Sequence, residues 1–236
     1  MTISLRKPAP LAPTRCAIGK TLVTLDPAGV LFMDETSTLV VSDLHLEKGS
    51  SFARRRQYLP PYDTGETLKR LALLVAKYQP RTLVSLGDSF HDDDASARLS
   101  VDAVAAIEAL AAGRTMVWVT GNHDPSPPAN VPGETVEELM IEDINLRHIA
   151  KRGENGPEMS GHYHPCAKIH VRGKSVRRPC FATDQTRMIL PSFGAYTGGL
   201  NVRDKAYAGL FDPQRLCAYM LGTDRIYPIA AKTLAL

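Results

Sequence analysis

Carboxylates and imidazoles recur in this chain at spacings that suit a divalent cation. Asp43 and His45 stand two apart in VVSDLHLEKG, and Asp88 follows a glycine in TLVSLGD. Asn122, His123 and Asp124 follow Gly121, and His162 and His164 flank Tyr163 after Gly161. On a strand, residues two apart project from one face, so Asp43 and His45 can converge on one point. Aspartate, histidine and asparagine offer oxygen and nitrogen donors without thiolate, a set suited to borderline or hard divalent ions. One such pair alone is usually a strand end or a turn; four ordered clusters are far more specific.

The elements that must position these residues can be read around them. TLVVSD, TLVSLGD and TMVWVTGNHD are β-branched, buried-type strands whose carboxyl ends deliver the polar residues. Between the first two, Leu68, Leu71, Leu74, Val75 and Tyr78 share one face of a helix over 63–78, with Asp63 and Glu66 resembling a capping box. A second helix is expected from Val101 to Ala112, capped by Ser100 and closed by Gly113. Strand, helix, strand, helix, strand implies an α/β fold with a parallel core and right-handed crossovers. Sites in such sheets lie beyond the carboxyl ends of the strands. PSPPANVPG reads as a loop walling that site, and INLRHIA, AKIHVRG, RMILPSF and AYAGLF as short strands of a second sheet.

Composition sets the bounds. The 236 residues, 44% hydrophobic and 22% charged, read as one globular domain over 1–236, with 1–20 a flexible or edge segment. A net charge of +3, from 28 Lys+Arg against 25 Asp+Glu, is too balanced for nucleic-acid binding by overall charge. Cys16, Cys166, Cys180 and Cys217 are scattered without a CxxC pair, which speaks against a zinc ribbon or disulfide scaffold and for a reducing, cytoplasmic setting. The amino-terminal stretch has no apolar h-region, and no apolar run approaches the roughly 20 residues of a membrane span, so neither secretion nor a membrane partner is expected.

The ordered set DxH, GD, GNHD, a lone histidine and GHxH resembles the calcineurin-like metallophosphoesterases over most of the chain. The resemblance implies a four-layer α-β-β-α sandwich with two mixed sheets and a site for two metal ions. Asp43, His45 and His164 would hold one ion and Asn122, His148 and His162 the other, with Asp88 bridging. Two ions about 3.5–4 Å apart can ionise a shared water and clamp a phosphoryl group for in-line attack. Two divalent ions bring four positive charges and the two aspartates remove two, which leaves a site that attracts a phosphodiester. Neutral Asn122 preserves that attraction. His123, by the same resemblance, is the general acid that protonates the leaving alkoxide, with Asp124 holding its ring.

Other residues are less constrained. His148 lies in an apolar run upstream of GHYH, as the family's lone histidine does, and is favoured over His91 and His170 as seventh ligand. His91 is expected beside the metals or against substrate. Arg54, Arg55 and Arg56 read either as phosphate contacts or as a solvated basic surface, and Arg172, Lys174, Arg177 and Arg178 share that ambiguity. No aromatic residues interleave with either run, so stacking on bases is unsupported.

LPPYDTGETLKRL, LGDSFHD, SGHYHPCAKI and LPSFGAYTGGLNV resemble the bacterial ligase-associated DNA-damage-response phosphoesterases. That resemblance implies a manganese-preferring phosphodiesterase or endonuclease acting on DNA, with a DNA ligase and a helicase-like protein as partners. Iron, zinc and magnesium are alternative ions. A small-molecule phosphodiesterase or nucleotidase shares every metal ligand, and an inactive scaffold of the same fold is a third reading, although no expected ligand position is lost. Oligomeric state, a homodimer included, is left open.

Overall fold

Short, partly alternating runs open the chain in the computed structural model, which describes residues 13–57, 59–60, 62–124 and 130–236. β1 (Thr14–Ile18), β2 (Thr21–Leu25) and β3 (Leu31–Met33) form an antiparallel meander that pairs onto β4 (Thr38–Val41). β5 (Thr82–Leu86), β6 (Thr115–Val119) and β7 (Glu134–Val136) then add in parallel, completing a seven-stranded mixed sheet. β4 is buried throughout, and β5 and β6 beyond their first residues, as central parallel strands with both faces covered must be. The edge strand β1 begins at Thr14, and residues 1–12 of the expected amino-terminal segment lie outside the described residues.

Three helices cover one face of this sheet. α1 (Lys48–Arg54) and α2 (Asp63–Tyr78) follow β4, and α3 (Val101–Ala111) lies between β5 and β6. α2 buries Leu68, Leu71, Leu74 and Val75 in one cluster with Leu39, Val41 and Leu83, each such side chain stabilising by roughly 1.5–3 kcal/mol. Ser100 accepts the Ala103 amide at 3.1 Å and caps α3 as expected, and Gly113 stands just past its end at φ +72°. The capping box at Asp63 is not formed. Tyr62 is the cap residue, and the Asp63 carboxylate instead accepts the Gly49 amide at 2.8 Å, tying α2 to α1.

The second sheet is built from β8 (Glu138–Ile141), β9 (Ile144–Arg147), β10 (Glu158–Ser160), β11 (Pro165–Val171), β12 (Lys174–Thr183), β13 (Arg187–Ile189), β14 (Leu200–Asn201), β15 (Cys217–Leu221) and β16 (Ile226–Ala230). Within it β9, β10 and β13 run parallel. The two sheets share a core in which Val40, Val84, Leu86 and Val117 meet Ile144, Met159, Phe181 and Met188. The architecture is therefore the expected mixed α/β sandwich. Its far outer layer is thin: Tyr207, on the short 3-10 turn Lys205–Tyr207, packs with Leu210 and Ile189. AYAGLF, expected as a strand, is that turn and the loop after it, because Tyr207 and Leu210 are needed as plugs over the sheet. Of the proline-rich loop, residues 125–129 lie outside the described residues; Pro132 accepts the Trp118 indole N–H at 2.9 Å.

Candidate metal centre

Both sheets aim the carboxyl ends of their parallel strands at one place. β4 leads to Asp43 and His45, β5 to Asp88, and β6 to Asn122 and His123; from the second sheet β9 leads to His148 and β10 to His162 and His164. The route differs from the strand argument. β4 ends at Val41, and Asp43 and His45 converge because both adopt left-handed backbone, at φ 55° and 44°. Asp88 (φ 47°), His162 (φ 68°) and His164 (φ 45°) do the same. Non-glycine residues pay conformational energy there, of order 1–3 kcal/mol each, and persist where the surroundings over-determine them. Here the surroundings are main-chain bonds between the ligand loops: Asp43 N–H donates to Gly87, His45 N–H to Asp88, and Gly194 N–H to Asp43.

Glycines permit that closeness. A Cβ on Gly121 would overlap the amide and carboxylate of Asp88, and one on Gly161 would overlap the Ser42 hydroxyl and approach Asp43. Gly87, Gly121 and Gly161, ahead of three of the four polar clusters, therefore leave room for side chains from other loops. The Pro191–Gly199 loop closes on the same region, with Phe193 N–H donating to Ser42.

Two donor groups result. In one, His164 Nε2 lies 3.1 Å from Asp43 Oδ1 and 3.3 Å from His45 Nε2. In the other, His148 Nε2 lies 3.0 Å from Asn122 Oδ1 and 3.3 Å from Asp88 Oδ1, with the His162 ring 5.1 Å from that of His148. Asp88 joins the groups, its Oδ2 being 3.9 Å from His45 Nε2. His148 Nδ1 faces the Leu86 carbonyl at 2.8 Å, so it carries a proton that it donates there. In the neutral tautomer Nε2 then presents its lone pair to two oxygens. In that tautomer a cation among the three atoms would relieve their repulsion, and donors about 2.1 Å from one ion are separated by about 3 Å.

The protonation tendencies of His45 and His162 fit the same occupant. Burial pushes His45 down to about 3 against the pull of Asp43 and Asp88, and burial with the charge of His148 lowers His162, so both rings favour the neutral form a metal needs. Burial alone would raise Asp88, yet His148, the His123 amide and His45 hold it well below the usual carboxylate range. His148 is raised, the carboxylates of Asp88 and Asp43 outweighing burial. That shift favours the imidazolium paired with ionised Asp88, a proton that His148 must shed before Nε2 can act as a donor.

His123 stands apart, its side chain 44% exposed and its Nε2 4.0 Å from Asp88 Oδ2. The expected contact between its ring and Asp124 is not made. His123 Nδ1 donates to the His91 carbonyl at 3.2 Å, and its ring stacks on His91 at 5.5 Å. The buried Asp124 is occupied with main chain, accepting the Ser89, Phe90 and Gly121 amides at 2.8, 3.1 and 3.1 Å. Burial pushes its carboxyl up to about 7 even though the Phe90 and Ser89 amides favour the ionised form.

Of the remaining candidates, His91 sits beside His123 and His45, whereas His170 is exposed on β11 and joins no donor group among the described residues. The arginine triplet is split: Arg54 pairs with Asp94 at 2.8 Å, both exposed, while Arg55 is close enough to depress His91. Lys48 depresses His91 more strongly, behind burial as the main cause, which takes it down to about 4. Lys48 and Ser42, whose hydroxyl donates to Asp43 Oδ2 at 2.5 Å, went unremarked in the sequence; only their adjacency to the first cluster pointed to them.

A family model described as calcineurin-like phosphoesterase matches residues 36–175, a span that contains all seven candidate donors. The chain belongs to the calcineurin-like phosphoesterase family. Members of this family are metal-dependent hydrolases of phosphate esters, and the two donor groups are this chain's candidate metal-binding sites. Among solved structures, the chain is similar to Pseudomonas putida nuclease MPE, with 27% identity and a TM-score of 0.71, covering 92% of this chain and 100% of that one. Another phosphoesterase, Yfce from E. coli, matches at 16% identity and a TM-score of 0.39 over 82% of this chain and 98% of that one. No curated protein matches. Among the described residues, no helix is long and apolar enough to cross a membrane.

Proposed function

We propose that this calcineurin-like phosphoesterase hydrolyses phosphodiester bonds in DNA and acts as an endonuclease. The observation that carries the chemistry is the pair of donor groups joined by Asp88, with His123 exposed at their edge. Asp43, His45 and His164 would hold one divalent ion and Asn122, His148 and His162 the other. Such ions supply Lewis acidity toward a phosphoryl oxygen and acidify water. The mixed nitrogen and oxygen donors, with no cysteine among them, suit manganese. Asn122 and the rings of His45 and His162 keep the pocket's net charge positive once loaded, so that a diester anion is drawn in.

His123 is assigned the proton transfer. Its Nδ1–H is fixed on the His91 carbonyl, which leaves Nε2 4.0 Å from Asp88 Oδ2 at the edge of the donor groups, free to hand a proton to a leaving alkoxide. The main chain of His91 takes the orienting role that the family resemblance implied for Asp124. Likeness to a nuclease supports a nucleic-acid substrate, and the intact ligand set supports catalysis over a scaffold role. A reducing cytoplasm suits its four unpaired cysteines, and a DNA ligase and a helicase-like protein are the proposed partners.

The test is incubation of end-labelled single- and double-stranded oligonucleotides with enzyme and Mn²⁺, beside Asp88→Ala and His123→Ala. Internal cleavage by the wild type alone is expected. Release of mononucleotides only from the ends, or turnover confined to mononucleotide substrates, would overturn the endonuclease reading.

A further inference from the structure

β11 leaves the metal centre directly from His164 and pairs with β12 as a long antiparallel hairpin. Its register sets Lys168 opposite Arg177 and Cys166 opposite Pro179, so these four side chains share one face. Burial raises the Cys166 thiol, and the nearby Arg177 guanidinium only partly offsets this. That face runs into a cavity of about 210 Å³ whose wall includes His164, Arg177, Arg178, Ser192 and Thr197. The ligand His164 therefore separates this cavity from the donor group it shares with Asp43 and His45.

The cavity's polar groups are incompletely used. Arg177 donates to the Gly199 carbonyl, which anchors the guanidinium over the cavity and leaves its remaining N–H donors free. Among the described residues, no carboxylate lies within ion-pair distance of Arg177 or Arg178. Ser192 Oγ is shielded from solvent and has no hydrogen-bond partner. Lys168, by contrast, is already engaged by the Leu236 carbonyl. An anchored guanidinium, a second cation and an unpaired hydroxyl beside a phosphoryl-binding centre match one chemistry: a tetrahedral phosphate anion.

We infer that the cavity between His164 and Arg177 binds a second phosphate of the substrate strand, neighbouring the one that is cleaved. This rests on the nucleic-acid reading of the site and deepens it, because it makes a substrate with at least two phosphates the preferred one. A diester with a single phosphate leaves the cavity unfilled. The hairpin's basic residues are thereby assigned to strand positioning without sequence readout.

The experiment compares kcat/KM on bis-p-nitrophenyl phosphate, on the dinucleotide TpT and on the trinucleotide TpTpT with Mn²⁺ for wild type, Arg177→Ala and Arg177→Gln. Arg177→Gln keeps a donor for the Gly199 carbonyl and so separates lost charge from lost anchoring. The wild type is expected to prefer TpTpT to TpT. In both variants the ratio of kcat/KM for TpTpT to that for TpT is expected to fall about tenfold, mainly through KM. Binding of a labelled oligo-dT in a His123→Ala background should lose roughly 0.7 from its log K against log salt slope. An unchanged ratio and slope in Arg177→Gln would overturn the subsite while leaving the nuclease reading intact. A wild type that turns over bis-p-nitrophenyl phosphate but neither TpT nor TpTpT would overturn both.

Discussion

The Nδ1 atom of His123 lies 3.2 Å from the main-chain carbonyl of His91, not against the carboxylate one residue further along the chain. Orientation of the exposed ring therefore comes from backbone that Asp124 holds in place, because Asp124 accepts the amides of Ser89 and Phe90 immediately before His91.

His123→Ala should lower kcat by about 10²–10⁴-fold while both ions stay bound. Elemental analysis of the purified variant alongside steady-state kinetics checks this. Loss of metal together with activity would move His123 into the ligand set.

Asp124→Ala should behave as a stability variant, since it strands three amide donors at a position 1% exposed. A loss of at least about 2 kcal/mol is expected, with faster hydrogen exchange at Ser89, Phe90 and Gly121. Unaltered melting with a large drop in kcat would restore the direct relay.

Asp88 and Asp43 differ in reach. Asp88 lies against imidazoles of both groups, so Asp88→Ala should abolish both sites, whereas Asp43→Ala should remove the site it shares with His45 and His164 and only weaken the other, where Asp43 accepts the His162 amide at 3.1 Å. Calorimetric titration with Mn²⁺ reads the difference as stoichiometry: near zero for the first variant, near one for the second.

Two glycine substitutions should have opposite signs. Gly121→Ala forces a methyl onto the Asp88 amide and carboxylate and should cost both stability and metal affinity. Gly65→Ala, on α2 with nothing within 4 Å of the new methyl, should stabilise by about 0.5–1 kcal/mol. Chemical denaturation of the two variants gives the comparison.

Alkaline pH should loosen the second sheet. Burial raises the thiols of Cys166, Cys180 and Cys217 and the phenols of Tyr207 and Tyr219. An acid whose folded pKa is raised contributes stability that is fully present below its unfolded value and lost as pH climbs toward the folded one. The melting temperature should therefore hold through neutrality and fall above about pH 9, where unfolded thiols ionise. Thiol alkylation should track unfolding; rapid labelling of Cys180 in the native protein at pH 8 would contradict its burial.

The sequence made the donors legible because ligand chemistry permits few residue types, and Asp43, His45, Asp88, His162 and His164 each stand in a short string with a glycine or a partner donor. Helix α2 was legible from the spacing of its leucines. What escaped depended on contacts distant in sequence. Asp63 and Asp124 look like local partners of Glu66 and His123, but Gly49 and Ser89 compete for them through space and win. β12 carries Lys174, Arg177 and Arg178 on an extended hairpin, so no apolar run advertised it. AYAGLF has the composition of a strand, and only the need to cap Ile189 makes it a turn.

The five left-handed ligand residues are locked by hydrogen bonds between loops, so the receptacle is preorganised by the polypeptide itself. A receptacle built in this way would need little rearrangement to take up a cation, so that little of the binding energy would go into ordering the loops.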